Sequence, residues 1–471
     1  VTATRIDATH KQRFHVDGDV VACSKQCLLI NTQGGEMLRF EYRFPVVLAV
    51  LLVAAACGGR PAAEAGSMRA YVGAMLIDGN GGSPLANSVL IVDSGRIQAV
   101  GPAGSIEIPE GAERIDVSGR TIIPGLINTH GHVGDVVGLE TGQYSRENVL
   151  AQLGLYARYG VTTVVSLGDD RETGVQIRNE QADSMLDRAR LLVAGPVLSA
   201  RTAEAAVEQV RGIVEMDVDW AKIRVDDNLG ATEKMPPEAY DAIIAEAHRN
   251  DIPLAVHIVN LADAKALVLA GADFIGHSVR DLPVDDELIA LLRERRICLS
   301  PTLTRELSTY VYGSRPEFFD DPFFVREADP AVMAQLEDPA RQFRTRESSS
   351  AQHWETQLPL AMSNLQALSD AGVRIAMGTD SGPPGRFQGY FEHLEMELMV
   401  DAGLTPMQVL VAATGDAARC MGLEAEVGTL EAGKRADFVV LDSNPLDDIR
   451  NTRTIESVWI SGNRVPDREG N

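Results

Sequence analysis

Only five cysteines occur in 471 residues, and their spacing reveals no disulfide framework. Cys298 and Cys420 stand far apart and read as buried small hydrophobes. Cys23 and Cys27 would make half a metal site, but no second Cys or His pair follows at finger spacing. The chain also lacks a run of basic residues. Lys+Arg number 43 against Asp+Glu 67, a formal charge of −24, so no nucleic-acid partner is expected. No apolar run reaches the about 20 residues that a membrane-spanning helix needs.

What remains is the composition of a globular enzyme, 45% hydrophobic and 23% charged. The length permits several domains, or one large barrel with a satellite. The acidity fits solubility and attraction for cations.

From Met37 the chain reads MLRFEYRFPVVLAVLLVAAACGG. Arg39 and Arg43 precede an apolar run from Pro45 to Ala56, which ends in small residues and Cys57. This is the layout of a secretory signal. Small residues ending at a cysteine resemble a bacterial lipoprotein signal, in which Cys57 becomes the lipidated first residue. The expectation is an exported bacterial protein, periplasmic or attached to the membrane through Cys57. Residues 1–36 precede that signal and read as upstream sequence rather than native protein; 37–57 form the signal, and 58–68 a Gly/Pro/Ala linker.

Residues 69–123 read as short alternating strands broken at Gly, Asn and Pro, and 424–467 have the same character. The two ends together predict one small β-sandwich domain. Between them, over 124–423, strands alternate with amphipathic helices. Strands are expected to end near His132, Ser166, Ala194, Val225, Val259, His277, Pro301 and Asp380. Eight strands, each followed by a helix, make an α/β fold of the (β/α)8 TIM-barrel type. A long acidic segment, Arg305 to Trp354, separates strand seven from its helix, and reads as a substrate lid or an oligomer contact.

The sharpest signal is PGLINTHGHVG. His130 and His132 are two apart on a strand end, so both point to one side and can hold one metal. Lys222 ends the fourth strand, His257 the fifth, His277 the sixth and Asp380 the eighth. In a TIM barrel these ends meet at one face, where chemistry is found. Neutral imidazoles and carboxylates suit zinc. A lysine ammonium among dications would be repelled, so Lys222 must be neutral, displaced or converted to an anion. Asp380 can ligate a metal and also carry a proton from water to a leaving nitrogen. Arg224 lies two residues beyond Lys222, facing the same way. It either clamps a substrate carboxylate or pairs with Asp226 or Asp227. His393 reads as pocket-lining or helix-packing, and His248 and His353 as solvent-facing.

These residues, with the closing GTLEAGKRADFVVLD, resemble the amidohydrolase superfamily, in its imidazolonepropionase-like and metal-dependent prolidase-like branch, over about residues 69–467. The resemblance implies two divalent metals, most often zinc. His130, His132 and Asp380 would bind one, His257 and His277 the other, and a carboxylated Lys222 would bridge them. It implies a metal-dependent hydrolase of amide-type C–N bonds with a small-molecule substrate, a dipeptide or an N-acyl amino acid leading. Prolidase-like relatives often carry an aromatic residue soon after the fifth-strand histidine, whereas Ile258, Val259 and Asn260 follow His257. A cyclic amide, a xenobiotic amide or urea, a mononuclear deaminase and a non-catalytic scaffold stay open. A homo-oligomer is expected, though no residue pattern specifies it.

Overall fold

A computed structural model describes residues 68–182 and 185–467, together with three strands nearer the start. Those three are β1 (Gln12–Val16), β2 (Asp19–Ser24) and β3 (Cys27–Asn31), an antiparallel meander in a unit of its own. The expected signal, with Cys57, lies outside the described residues.

In the main unit a small β region is built from both parts of the chain. One sheet holds β4 (Arg69–Val72), β6 (Ser88–Asp93), β7 (Arg96–Pro102) and β8 (Glu113–Asp116). The other holds β5 (Met75–Leu76) and β9 (Thr121–Pro124) from the early part. It adds β17 (Phe438–Leu441), β18 (Ile455–Ile460) and β19 (Asn463–Arg464) from the late part. The late part enters by antiparallel pairing of β17 with β9, Val439 opposite Ile123. Tyr71, Leu90, Ile122, Phe438 and Trp459 share one core between the two sheets. Tyr71 meets Phe438 edge-on at 4.9 Å between ring centroids, the geometry aromatic quadrupoles favour.

The central strands are parallel. The first ladder is β10 (Leu126–Gly131), β11 (Val161–Ser166) and β12 (Arg190–Val193). The second is β13 (Ala221–Arg224), β14 (Leu254–His257), β15 (Phe274–Gly276) and β16 (Cys298–Ser300). Isolated parallel bridges join the two ladders through Leu198 and Ile223. They also set residues 375–381 between β16 and β10, through Leu299–Ile375 and Gly131–Ser381. The parallel strands thus run in sequence order in two separate sheets, with single bridges rather than continuous ladders at three joints. Every residue of β11 (VTTVVS) is buried, as expected of a parallel strand covered on both faces. Helices between the strands start at the caps their sequences provide. Ser145, Thr202 and Asp285 each accept from the backbone N–H three residues on.

One segment left without a structure gains one, and one expectation is revised. The segment after β16 is helical, with helices Leu303–Tyr310, Pro322–Val325, Pro330–Leu336 and Pro339–Glu347 ahead of the long helix Ser349–Asp370. Its Phe319, Phe323 and Phe324 pack with Tyr159, Tyr390 and Phe391. Cys298 and Cys420 are not free hydrophobes; they form a disulfide, with Cα atoms 5.9 Å apart across 122 residues of sequence. Strand seven lies beside the helix Gly415–Cys420, a proximity that spacing along the chain cannot show.

Candidate active site

The C-terminal ends of β10, β13, β14, β15 and the 375–381 segment converge on one cleft of about 340 Å³. Its lining includes His130, His132, Lys222, His257, His277 and Asp380. His132 Nε2 lies 2.8 Å from Asp380 Oδ1, and His130 Nε2 lies 3.9 Å from the same oxygen. His130, His132 and Asp380 each offer a ligand atom, all within 4.8 Å of one another. Lys222 Nζ sits 3.2 Å from His130 Nε2. The rings of His257 and His277 have centroids 4.2 Å apart, and those of His130 and His277 4.6 Å.

Backbone geometry sets this closeness. A Cβ at Gly276 would stand 2.9 Å from His130 Nδ1 and 3.3 Å from Lys222 Nζ, so a side chain there would crowd both groups. His277 (φ 140°) and Asp380 (φ 57°) both occupy the positive-φ region. That conformation costs about 1–3 kcal/mol for a non-glycine residue, and such strain clusters at functional sites.

The donor chemistry fits divalent metal. Burial holds His130 and His277 well below the ordinary imidazole range, with Lys222 adding to the effect at His130 and His257 at His277. Burial also takes His257 down to about 3, against the opposing hydrogen bond to Asp226. These rings are therefore neutral, the form that binds metal. His277 Nε2 is buried without a hydrogen-bond partner, while its Nδ1 meets Thr302 Oγ1 at 2.6 Å. An orphaned imidazole nitrogen beside two other rings is what a metal would satisfy. Burial lowers the Lys222 amine to about 7, which makes the neutral, nucleophilic form accessible. At Asp380 burial works against ionisation, but Arg386 and His132 outweigh it and hold the carboxyl well below its usual range.

Arg224 lines the cleft, and its Nη2 donates to Asp226 Oδ2 at 2.6 Å. The ion pair is thus formed, and Asp226 Oδ2 also lies 3.3 Å from His257 Nε2. His393 is a correction: it is absent from the cleft lining. Its Nδ1 meets Thr452 Oγ1 at 2.9 Å and its Nε2 the Tyr159 carbonyl at 2.8 Å, against the Phe323 ring. With both nitrogens paired in an aromatic core, it packs a helix instead of meeting substrate. His248 is half-exposed and pairs with Asp273.

Three contributors escaped the sequence reading. Arg386 and Arg305 both line the cleft, and Arg386 Nη1 donates to Asp380 Oδ2 at 2.6 Å. Each lies in a segment that directly follows a strand end, which was the available signal. The third is Glu392, wholly buried. Its Oε1 accepts from Asn128 Nδ2 (2.6 Å), Thr379 Oγ1 (2.8 Å) and Ser381 Oγ (2.7 Å). Asn128 Oδ1 in turn accepts from the His130 backbone N–H at 2.9 Å. One carboxylate therefore ties the strand bearing His130 and His132 to the segment bearing Asp380.

A parallel sheet, a satellite β region and imidazoles with a carboxylate at the strand ends make a candidate metal site on an α/β fold. The family model for the amidohydrolase family matches residues 121–465, and the chain belongs to that family. It is accordingly a hydrolase acting on C–N bonds. Among similar proteins, ochratoxinase of Aspergillus niger is 24% identical over 455 residues, covering 83% of this chain and 85% of its own length. Imidazolonepropionase of Agrobacterium fabrum is 28% identical over 391 residues, covering 76% of this chain and 84% of its own. The crystal structure of a Xaa-Pro dipeptidase with bound methionine in the active site superposes with a TM-score of 0.69. It is 21% identical and covers 84% of this chain and 99% of that one; at that identity it speaks for the fold alone.

Proposed function

We propose that this chain is a binuclear metal-dependent hydrolase that cleaves an amide-type bond in a carboxylate-bearing substrate, a dipeptide or an N-acyl amino acid. The observation that carries the reading is the cleft itself. Six candidate ligands share it with three guanidinium groups, Arg224, Arg305 and Arg386, in a chain of strongly negative overall charge. Guanidinium groups in a cleft lining suit a carboxylate, which they bind by paired charge-assisted hydrogen bonds; here each also pairs with an acid of the protein, Asp226, Glu306 or Asp380.

His130, His132 and Asp380 would hold one metal, His257 and His277 the other, and Lys222, carboxylated, would join them. Two divalent ions, zinc by ligand type, would lower the pKa of the attacking water and polarise the scissile carbonyl. Asp380 takes the water's proton and hands it to the leaving nitrogen. Arg386 keeps that carboxylate ionised and oriented. The Asp226 carboxylate orients the His257 ring, a role typical of groups behind metal ligands.

The test is hydrolysis of dipeptides, N-acyl amino acids and lactams by zinc-loaded protein, with metal analysis of the same sample. Turnover of carboxylate-bearing linear amides with two metals per chain is expected. Turnover confined to lactams or uncharged amides would refute the substrate class. A mononuclear enzyme on this fold is the second reading. It is favoured by the one compact ligand group among the described residues, His130, His132 and Asp380. Full activity at one metal per chain would establish it.

Export, with Cys57 lipidated, belongs to the same proposal. The Cys298–Cys420 disulfide supports it, because such bonds persist in oxidising compartments such as the bacterial periplasm.

A further inference from the structure

A second cavity, of about 230 Å³, adjoins the cleft. The two share Val136, Gln152, Gly382, Pro383 and Arg386 as lining, so one wall separates or connects them. Beyond that wall the lining turns apolar, with Leu155, Phe324, Val332, Phe387 and Tyr390. Four segments meet there: the loop after β10, the helix Arg146–Arg158, the stretch after Asp380 and the helical segment that follows β16.

The polar groups named next, from the lining of the second cavity, are already engaged inside the protein. Arg386 binds Asp380 and, through Nε, Ser308 Oγ at 3.0 Å. Glu327 takes both ends of the Arg158 guanidinium at 2.8 and 3.0 Å. Gln152 accepts from the Gly134 N–H and Gln388 Nε2 and donates to the Val136 carbonyl. Asn148 Nδ2 donates to the Gly134 and Val136 carbonyls. A ligand there meets aromatic and aliphatic surface, with its polar recognition left to the neighbouring cleft. Val137, also on the cavity lining, is 54% exposed, an apolar side chain presented to solvent beside an apolar void.

We infer that this second cavity receives a neutral apolar group of the substrate, aryl or branched alkyl, while the cleft holds the carboxylate and the scissile bond. The inference rests on the hydrolase reading above and adds the substrate class. It also gives the Phe324–Val332 stretch a role, as the wall that selects the apolar group.

The experiment is equilibrium binding of two carboxylates, 2-naphthoate and acetate, to the zinc-loaded full chain. Naphthoate binding is followed by its fluorescence, and acetate by competition. Burial of the ring surface predicts that naphthoate binds about 10- to 100-fold more tightly. Ala328→Trp fills the cavity from the side of the inserted segment, and Val137→Asp puts a charge on its exposed lining. Each should lower the naphthoate-to-acetate affinity ratio about tenfold. Val137 is exposed, so that variant reports even where the larger substitution fails to fold. Equal affinities for the two carboxylates, or a ratio unmoved in Val137→Asp, would overturn the inference. The affinity ratio needs no turnover, so a protein that hydrolyses no amide would defeat the functional reading while the ratio still decides this one.

Discussion

Removing the Glu392 carboxylate should loosen the seam that holds three of the candidate ligands together. Glu392 Oε1 accepts three hydrogen bonds, from Asn128, Thr379 and Ser381, in a wholly buried position. Each buried donor left without an acceptor costs about 1–3 kcal/mol. Not all three would be stranded in Glu392→Ala. Asn128 Nδ2 also lies 3.0 Å from Thr379 Oγ1, and Ser381 Oγ lies 2.6 Å from Tyr156 OH. With two donors keeping a partner, and a small cavity added, a net loss of about 3 kcal/mol is expected. Glu392→Gln keeps an acceptor oxygen and should lose about 1 kcal/mol. The assay is the urea midpoint of chelated protein, beside a zinc titration of the same variants. Glu392→Ala should bind zinc about 10- to 100-fold more weakly, the range typical of lost support behind a ligand. An unchanged midpoint and zinc affinity in Glu392→Ala would refute the reasoning. Equal losses in the Gln and Ala variants would show that charge, and not an acceptor at that point, holds the seam.

Three further outcomes are expected. Lys222→Ala should lose metal and most activity, and small carboxylic acids should restore part of both; full metal content with an unaided rate would remove the bridge. The same lysine sets a pH dependence in metal-free protein. Its amine falls from 10.5 to about 7 on folding, so the unfolded chain binds more protons between those values and stability rises with pH there. From pH 7 to 9 the gain should be about 2 kcal/mol, read from urea midpoints, and Lys222→Met should abolish it. Cys298→Ser opens a 122-residue link and should cost about 3–5 kcal/mol in the chain-entropy account, read as a lower denaturant midpoint; alkylation without reduction that labels Cys298 would show there is no link to lose.

The strand order was legible because parallel strands covered on both faces leave a plain trace. LINTHG and VTTVVS are short and buried throughout, the second made almost wholly of β-branched residues. The antiparallel β region was legible from alternation broken at glycine. The insertion after β16 was not, for a different reason. Its helices are short, three of them opened by Pro with an aspartate cap. Pro322–Val325 and Pro330–Leu336 are stabilised by packing in the aromatic cluster with Tyr159 and Tyr390 rather than by a long amphipathic stripe. The disulfide escaped for a related reason, since pairing across 122 residues depends on which helix covers strand seven.

The site divides along the same line, and the division bears on Arg224. Ligand candidates could be found because each closes a predictable strand, at a position the period of two fixes. Charges that reach the cleft from following segments carry no such period, so Arg305 and Arg386 could be sought only by their place after a strand end. Arg224 was visible, but its partner was left open, and the structure gives it Asp226 at 2.6 Å while 45% of its side chain stays exposed. A guanidinium so placed is screened by water, and part of its charge is already answered. All three arginines pair with an acid, Arg305 with Glu306 and Arg386 with Asp380, so burial alone separates them; the exopeptidase-like reading leans less on Arg224 than on Arg305 and Arg386, whose side chains are 11% and 17% exposed. Arg224→Met should lower kcat/KM for a carboxylate-bearing amide only about tenfold, the bottom of the range for a charged hydrogen bond. It should leave the amide-capped analogue nearly unchanged and the metal content intact. Arg305→Met should do more to the same pair of substrates, because its guanidinium is drier. An equal fall on both substrates in both variants would mean that these arginines shape the cleft without reading a carboxylate, and the substrate would then be a neutral amide.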